Sequence, residues 1–219
     1  MLNGWFITVE GGEGAGKTTI VDKVEHFFKD HGFDVMRTRE PGGIKIAEKI
    51  REVILDVTHT EMDERTEALL YAAARRQHLI EKVLPALKEG KIVICDRFID
   101  SSLAYQGIAR GIGLEEVLAI NEFAIEGCYP GLTLYFDVDP KVGLARISSD
   151  SEREVNRLDK EKLDFHEKVK DGYDKVNHMY PERIQVINAN HSIEDVFQQV
   201  MHAITMHDQY KRLKEMNEQ

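Results

Sequence analysis

The segment Gly-Gly-Glu-Gly-Ala-Gly-Lys-Thr at residues 11–18 constrains the fold of this chain more than any other feature. It matches the pattern G-x-x-x-x-G-K-[ST] in full, and it lies between an apolar run at 6–10 and a segment of helical period. The glycines allow successive backbone N–H groups to surround a polyphosphate, and the following helix adds its positive N-terminal end. The segment therefore predicts a phosphate-binding loop; the alternative is a glycine-rich turn in which the Lys-Thr pair is incidental.

The predicted loop and one distant acid form a candidate site for ATP and Mg²⁺. The nucleotide-binding candidates are Gly11, Gly12, Glu13, Gly14, Ala15, Gly16, Lys17, Thr18 and Thr19. Lys17 is expected to contact the β- and γ-phosphates as a catalytic cation, and the Thr18 hydroxyl is expected to reach Mg²⁺. Asp96 ends the apolar run 92–95 and would hold Mg²⁺ directly or through water, unless it is only a solvated acid at the end of a strand.

Apolar runs of strand length alternate with longer segments of helical period, which is typical of an α/β protein with a parallel sheet. Strands are predicted at 5–10, 34–38, 91–96, 132–138 and 184–187, and helices at 17–31, 44–55, 65–89, 114–126, 140–148, 160–178 and 192–216. Pro85 is expected to kink or end the third helix. The order predicts a single domain over 1–219, a three-layer α/β/α fold of the P-loop NTPase type. We expect a five-stranded parallel sheet and a short mobile lid in the polar stretch 148–159.

The charge balance argues against some partners. The formal net charge is −10, from 39 acidic and 29 basic residues, and no Lys/Arg tract is present, which disfavours binding to nucleic-acid polymers. Cys95 and Cys128 do not have the spacing of a metal site. The N-terminal apolar stretch is too short for a membrane span or a signal peptide, so we expect a cytoplasmic protein without membrane contact.

Arginines at predicted loop or helix positions suggest that a second substrate carries its own phosphate, since guanidinium groups bind such anions through paired hydrogen bonds. The four candidates are Arg39, Arg51, Arg97 and Arg110. Any one of them alone could be an ordinary surface charge. Tyr71 and Arg75 are four residues apart and share a helix face, so they could present a ring and a guanidinium group to a base; the alternative for Tyr71 is a core residue.

Other classes of phosphate-loop protein fit the sequence less well. Asp96 is followed by Arg97, where motor ATPases commonly place a water-activating Glu, and the chain has neither an N/T-K-x-D guanine motif nor a D-x-x-G switch. A nucleotide-dependent switch is therefore disfavoured. Another nucleotide or small-molecule kinase, with the same loop and a different base pocket, stays open on these observations.

Four further motifs resemble those of the thymidylate kinase family, and the resemblance runs from about residue 6 to residue 190. They are Phe-Ile-Thr-Val-Glu-Gly at 6–11, Thr-Arg-Glu-Pro-Gly-Gly at 38–43, Asp-Arg-Phe at 96–98, and Ser-Ser-Leu-Ala-Tyr-Gln-Gly at 101–107. The last three in combination are highly specific to that family. The resemblance implies an enzyme that transfers the γ-phosphoryl group of ATP to dTMP, giving dTDP and ADP in dTTP biosynthesis.

The resemblance also implies the residues that bind the nucleoside part of dTMP. Tyr71 would stack on thymine, at a position where the family commonly has Phe. Arg75 would contact the base, and Gln106 would hydrogen-bond the pyrimidine edge. Ser102 would lie beside the base, and Tyr105 would lie near the sugar C2′, where it disfavours a ribose hydroxyl.

The resemblance assigns the phosphate chemistry to further residues. Arg97 and Arg51 would hold the acceptor phosphate, and Glu40 would help to position that phosphate and Mg²⁺. One branch of the family carries a catalytic Arg in the phosphate loop and the other carries it in the lid. Residues 11–18 contain no Arg, whereas the lid contains Arg153 and Arg157, so the chain resembles the bacterial branch, with Arg157 favoured as the catalytic residue. Two solvated lid charges are the alternative. The family also suggests a homodimer, formed through apolar helix faces.

Overall fold

Five parallel strands form the sheet of the computed structural model, which describes residues 3–149 and 157–217. They are β1 (Trp5–Gly11), β2 (Val35–Arg39), β3 (Ile92–Asp96), β4 (Leu132–Asp137) and β5 (Ile184–Asn188), in the order β2-β3-β1-β4-β5. All five predicted strands are present. The inner strands β1, β3 and β4 read as nearly continuous apolar runs, as strands covered by helices on both faces do, whereas the edge strands β2 and β5 also contain polar residues.

Helices connect the strands and cover the sheet. They are α1 (Lys17–Asp30), α2 (Lys45–Leu55), α3 (Glu64–His78), α4 (Leu84–Lys88), α5 (Ile99–Ser102), α6 (Leu114–Ile125), α7 (Pro140–Ser148), α8 (Leu163–Met179), α9 (Ile193–Met206) and α10 (Asp208–Asn217). Two π-helical segments, Leu79–Val83 and Leu103–Ala109, and a 3₁₀ turn at Arg157–Lys160 are also described. Within residues 3–149 and 157–217, none of the helices has the length and apolar character needed to cross a membrane.

Side chains of β1 alternate between two apolar cores, one on each face of the sheet. Trp5, Ile7 and Val9 pack against residues of α1, α9 and α10. Phe6 belongs to the opposite core, which contains residues of α4, α5, α6 and α8. Glu10 shares the face of Phe6, because neighbours two apart in a strand point the same way. The sheet therefore lies between two helical layers, as predicted for a three-layer α/β/α fold.

The central strands end side by side, and this brings distant parts of the sequence together. β3 pairs with β1 and with β2, so that Asp96 lies opposite Val9 on one side and opposite Arg39 on the other. Ligand sites of open parallel sheets form outside the carboxyl ends of the strands. The phosphate loop, the Asp96-Arg97 pair and the segment after Arg39 all follow these ends.

The helices differ from the prediction at three places. The helix predicted over 65–89 is divided into α3, a π-helical turn and α4, and Pro85, which was expected to kink or end it, lies directly after the π-helical turn. The last predicted helix is two helices, because the backbone at His207 is extended, with ψ of 136°. The helical stretch formed by α5 and Leu103–Ala109 was not predicted. Most of the predicted lid, residues 150–156, lies outside the described residues.

Candidate active site

The phosphate loop connects β1 to α1 in the geometry that its glycines permit. Gly14 and Gly16 have φ of 68° and 79°, a left-handed conformation that side chains disfavour. A Cβ at Gly14 would lie 2.1 Å from the carbonyl oxygen of Gly143, so the loop packs against α7 through two glycines. Gly16 precedes α1 and provides no side-chain cap, which leaves N–H groups of the first turn for an anion.

Lys17 lies at the start of α1 with its ammonium group turned back over the loop. Its Nζ donates to the carbonyl oxygens of Gly11 at 3.1 Å and Gly12 at 3.2 Å. Burial, followed by repulsion from Arg97, lowers the pKa of Lys17. Thr18 and Thr19 are exposed. The loop therefore offers a lysine and two hydroxyls on the side from which a phosphate group would approach.

Asp96, at the end of β3, has the properties of a cation ligand. Its Oδ1 is buried and has no hydrogen-bond partner among residues 3–149 and 157–217. A buried carboxylate oxygen without a donor is costly unless a cation or water satisfies it. Carboxylate and hydroxyl oxygens are the ligands that Mg²⁺ prefers, so Asp96 and Thr18 fit the predicted metal role.

A cavity beside the loop collects the residues predicted to bind the second substrate. Its lining includes Glu13, Glu40, Arg51, Tyr71, Arg75, Asp96, Arg97, Ser102, Tyr105 and Gln106. They come from the phosphate loop, the segment after β2, α2, α3, the end of β3, α5 and the following π-helical segment. Arg39, one of the four arginine candidates, also borders the cavity. The structure thus brings the predicted acceptor residues to one place.

Arg97 is held by a strained backbone and several contacts. Its φ is 68°, in the left-handed region, and its N–H donates to the carbonyl oxygen of Val9 at 2.9 Å. The guanidinium group donates to Glu13 Oε1 at 2.6 Å and to the Tyr173 hydroxyl at 3.2 Å, and it lies over the Tyr105 ring at 5.1 Å. These contacts fix a cation between the phosphate loop and the cavity.

Glu10 binds two of the side chains that contact the Arg97 guanidinium group. Its carboxylate accepts hydrogen bonds from the Phe98 N–H at 2.7 Å, from the Tyr173 hydroxyl at 2.9 Å and from the Ser101 hydroxyl. Burial, followed by the nearby charge of Asp100, raises the pKa of Glu10 from 4.5 to about 7. The Ser101 and Tyr173 hydroxyls also contact the guanidinium group of Arg97, so Glu10 connects β1 to Arg97.

Arg75 is almost fully engaged by other parts of the protein. It is 2 % exposed, and it donates to Glu40 Oε2 at 2.8 Å, Ser102 Oγ at 2.9 Å, the Phe98 carbonyl oxygen at 2.8 Å and Asn121 Oδ1. A guanidinium group has five N–H donors, so at most one is left for a base. The structure places Arg75 beside the predicted pocket and also makes it a structural anchor.

Glu40 is oriented by a second partner, His78. Its Oε1 lies 2.8 Å from His78 Nδ1, and His78 Nε2 lies 2.7 Å from the Thr38 hydroxyl. These side chains are buried. With both carboxylate oxygens bound to neighbours, Glu40 has a fixed position at the edge of the cavity.

The other arginine candidates have different partners. Arg51 donates to the Pro41 carbonyl oxygen at 3.1 Å and lines the cavity. Arg110 does not join the phosphate-binding candidates: it pairs with Glu67 at 3.4 Å and Glu161 at 2.6 Å. The sequence could show that Arg110 lies near predicted active-site loops, but not that it pairs with two acidic side chains.

Of the two lid arginines, Arg157 lies beside the cavity. Arg157, in the 3₁₀ turn, donates to the Ile54 carbonyl oxygen at 3.0 Å and to Glu67 Oε2, so it lies on the acceptor side of the site. Arg153 lies outside the described residues. Leu158, next in the chain after Arg157, lines the cavity.

Several residues of the site were not found from the sequence. They are Glu10, Glu67, Asn121 and Tyr173, all of which hold residues that line the cavity. In the sequence, Glu10 is distinguished by its position as an acid at the end of an apolar strand. The others lie on helices at positions where an acid, an amide or a tyrosine is unremarkable in the sequence.

The fold and the site define a class of protein: a P-loop kinase with an arginine-lined cavity beside the loop. A model of the thymidylate kinase family matches residues 9–200. The thymidylate kinase of Halalkalibacterium halodurans is 67 % identical over 90 % of this chain and 93 % of its own length. That of Geobacillus thermodenitrificans is 62 % identical, over 91 % of this chain and 89 % of its own length. The crystal structure of thymidylate kinase from Ehrlichia chaffeensis covers 93 % of this chain and 99 % of its own, with 32 % identity and a TM-score of 0.74.

The chain belongs to the thymidylate kinase family. The comparisons confirm the family that the four motifs indicated, and with it the predicted enzyme class, a kinase that transfers the γ-phosphoryl group of ATP to dTMP.

Proposed function

We propose that the chain binds ATP·Mg²⁺ at residues 11–19 and dTMP in the adjoining cavity, and that phosphoryl transfer between them yields dTDP and ADP. One observation carries this assignment. Arg97, Arg51, Tyr71 and Gln106 line a single cavity, and Glu13 of the phosphate loop borders the same cavity. Cations for a phosphate, a ring for stacking and an amide for a base edge therefore adjoin the donor site, which is what transfer between two nucleotides requires.

On the donor side, the chain contributes backbone N–H groups, one lysine and two oxygen ligands. Lys17 exchanges its loop carbonyl contacts for the β- and γ-phosphates. Thr18 and Asp96 would hold Mg²⁺, which would neutralise charge on the phosphate oxygens. The unpartnered buried Oδ1 of Asp96 supports this part of the proposal.

On the acceptor side, Arg97 and Arg51 bind the phosphate of dTMP, and Glu40 helps to position it. The backbone of Arg97 and its contact with Glu13 support this role, because a cation already fixed in place loses little freedom on binding. Most of the transfer rate then comes from positioning and from charge stabilisation.

The nucleoside part of dTMP is bound by five residues of the cavity. They are Tyr71, Arg75, Ser102, Tyr105 and Gln106. Tyr71 stacks on thymine, and Gln106 bonds the pyrimidine edge. Burial raises the pKa of Tyr71 far above 10, so its ring stays neutral at any pH at which the protein is assayed.

A lid arginine stabilises the transferring phosphoryl group, and Arg157 and Arg153 are the two candidates. In the described arrangement Arg157 is bound to Glu67, and its catalytic use requires that this contact be released. We expect Ala substitution of the catalytic arginine to lower kcat by about 10²–10³-fold, with little change in dTMP affinity. Comparing Arg153→Ala with Arg157→Ala identifies it; unchanged kcat in both would contradict a lid arginine.

We further propose a cytoplasmic homodimer. Exposed apolar side chains on two helices support the dimer: Leu69 of α3 is 55 % exposed and Phe123 of α6 is 84 % exposed. Light scattering coupled to gel filtration tests this. Leu69→Glu should shift the mass toward the monomer, and a monomeric unmodified chain would contradict the proposal. Free thiols at Cys95 and Cys128 agree with a reducing compartment.

A coupled assay over a panel of nucleoside monophosphates tests the assigned acceptor. With ATP and Mg²⁺, dTMP should give the highest kcat/KM, and AMP, GMP and dCMP should be poor acceptors. A clear preference for another monophosphate would refute the assignment of the cavity, and phosphate release without transfer to any acceptor would refute the kinase role.

A further inference from the structure

A buried carboxylate, Glu67, lies behind the part of the cavity assigned to the base. It is 1 % exposed and belongs to the first turn of α3. Its Oε1 accepts from Gln106 Nε2 at 2.7 Å and from Arg110 Nε at 3.4 Å, and its Oε2 accepts from Arg157. The two guanidinium groups compensate its negative charge.

The contact with Glu67 fixes the orientation of the Gln106 amide. A carboxylate ion only accepts hydrogen bonds, so the Gln106 atom that faces it has to be the amide nitrogen. The carbonyl oxygen Oε1 then lies on the other side of the amide group. It has no hydrogen-bond partner in the part of the chain that the structure describes, and Gln106 lines the cavity. Gln106 therefore presents a hydrogen-bond acceptor to the pocket.

We propose that Glu67 is a positioning residue for base specificity: it holds the Gln106 carbonyl oxygen toward the pocket and so selects pyrimidines that carry an N3–H. Thymine and uracil donate from N3, whereas cytosine has an unprotonated N3 that would face the same oxygen as a second acceptor. The inference rests on the proposed function, since it takes the cavity to bind the pyrimidine of a nucleoside monophosphate.

Replacing the Glu67 carboxylate by an amide should reverse the orientation of the Gln106 amide. In Glu67→Gln the one carbonyl oxygen of the new side chain is drawn to Arg110 and Arg157, which can only donate, and its NH₂ group is left for Gln106. The Gln106 amide then turns its oxygen toward residue 67 and its NH₂ toward the pocket. The pocket then presents a donor, which suits the N3 of cytosine and not an N3–H.

The experiment measures kcat/KM for dTMP, dUMP and dCMP with saturating ATP, in the unmodified chain and in Glu67→Gln. The informative quantity is the dUMP to dCMP ratio, because these two acceptors differ only at the edge that the amide contacts. We expect Glu67→Gln to lower this ratio by about 10–100-fold, mainly through the KM of the acceptors, because a site built around one hydrogen-bond pattern rejects the other. An unchanged ratio, even with lower activity on all three acceptors, would overturn the inference.

Glu161→Gln is the matched control. Glu161 pairs with the same arginine, Arg110, at 2.6 Å. The control removes one carboxylate partner of Arg110 but keeps Glu67, the partner of Gln106. The dUMP to dCMP ratio should therefore stay within about twofold of that of the unmodified chain. A fall equal to that of Glu67→Gln would assign the effect to Arg110 and overturn the inference.

A second measurement uses the unmodified chain and decides the question if Glu67→Gln does not fold. The side-chain NH₂ of Gln106, assigned by its loss in Gln106→Met, should exchange slowly with solvent both with and without dTMP. Fast exchange, or a loss of protection on adding dTMP, would show that the amide nitrogen is not held by Glu67 and would overturn the inference. If the unmodified chain does not prefer dTMP at all, the proposed function fails and not only this inference.

Discussion

Replacing Glu10 by Gln should remove a specific pH dependence of the stability. Burial and the charge of Asp100 raise the pKa of Glu10 from 4.5 to about 7 in the folded chain. The folded state therefore binds this proton more tightly than the unfolded state does. Below pH 4.5 the carboxyl is protonated in both states; as the pH rises to about 7, ionisation favours the unfolded state and stability falls. The difference between 7 and 4.5, at about 1.36 kcal/mol per pH unit, corresponds to about 3 kcal/mol.

The amide introduced by Glu10→Gln can keep most of the local contacts, so the variant should still fold. Its carbonyl oxygen can accept from the Phe98 N–H, and the Ser101 and Tyr173 hydroxyls, which donate to Glu10 in the unmodified chain, can accept from its NH₂ group. Urea denaturation at pH 5 and at pH 8, without Mg²⁺ or nucleotide, gives the free energy of unfolding of both chains. The stability of the unmodified chain relative to Glu10→Gln should fall by about 2–3 kcal/mol between these pH values.

The exposed Glu115 provides a control, because Glu115→Gln makes the same chemical change without burial. The control should follow the unmodified chain at both pH values. If the stability difference between Glu10→Gln and the unmodified chain is the same at pH 5 and pH 8, the raised pKa is wrong, and so is the account of Glu10 as a buried acid that ionises at a cost.

Three further substitutions test other parts of the site. Arg97→Ala should lower kcat/KM for dTMP by at least about 10²-fold while leaving ATP affinity, measured by calorimetry, largely intact; an equal loss of both would contradict its role at the acceptor phosphate. Arg75→Ala should lower the free energy of unfolding by about 3–5 kcal/mol, because it leaves Glu40 buried beside an unfilled space; a loss below about 1 kcal/mol in thermal or urea denaturation would show that Arg75 is not an anchor. Gly14→Ala would bring a Cβ to 2.1 Å from the Gly143 carbonyl oxygen at a positive φ, so the loop has to shift and ATP affinity should fall by at least about tenfold; unchanged affinity would contradict the packing of the loop on α7.

The parts of the fold that the sequence predicts well are those set by short, contiguous patterns. The strands could be placed to within about a residue, the three inner ones because burial on both faces makes each a nearly continuous apolar run. The phosphate loop could be placed because its eight residues are consecutive and lie between a strand and a helix. The stretch 99–109 was missed because its helix is interrupted: α5 has four residues, and the π-helical segment Leu103–Ala109 does not keep the 3.6-residue period.

A site residue could be predicted where its type limits the ligands that it can bind. It could not be predicted where contacts with distant parts of the chain determine what the side chain binds. Arg51, Tyr71 and Gln106 line the cavity as the family resemblance implied. Arg110 looked equally suited to a phosphate, yet two carboxylates occupy it. No local pattern reveals that Glu10 meets Tyr173, since the two residues are 163 positions apart.

Glu10 and Glu67 illustrate how the same side chain, equally buried, can serve the site in two ways. Neither lines the cavity as described, and each fixes a residue that does. Glu67 faces two guanidinium groups, so its charge is compensated and its effect is geometric: it decides which atom of an amide faces the pocket. Glu10 is fully buried near the charge of Asp100, and its hydrogen bonds and the charge of Arg97 offset only part of that cost, so its ionisation lowers stability. The consequence is that the amide isostere should separate them, changing the pH dependence of stability at Glu10 and the choice of pyrimidine at Glu67.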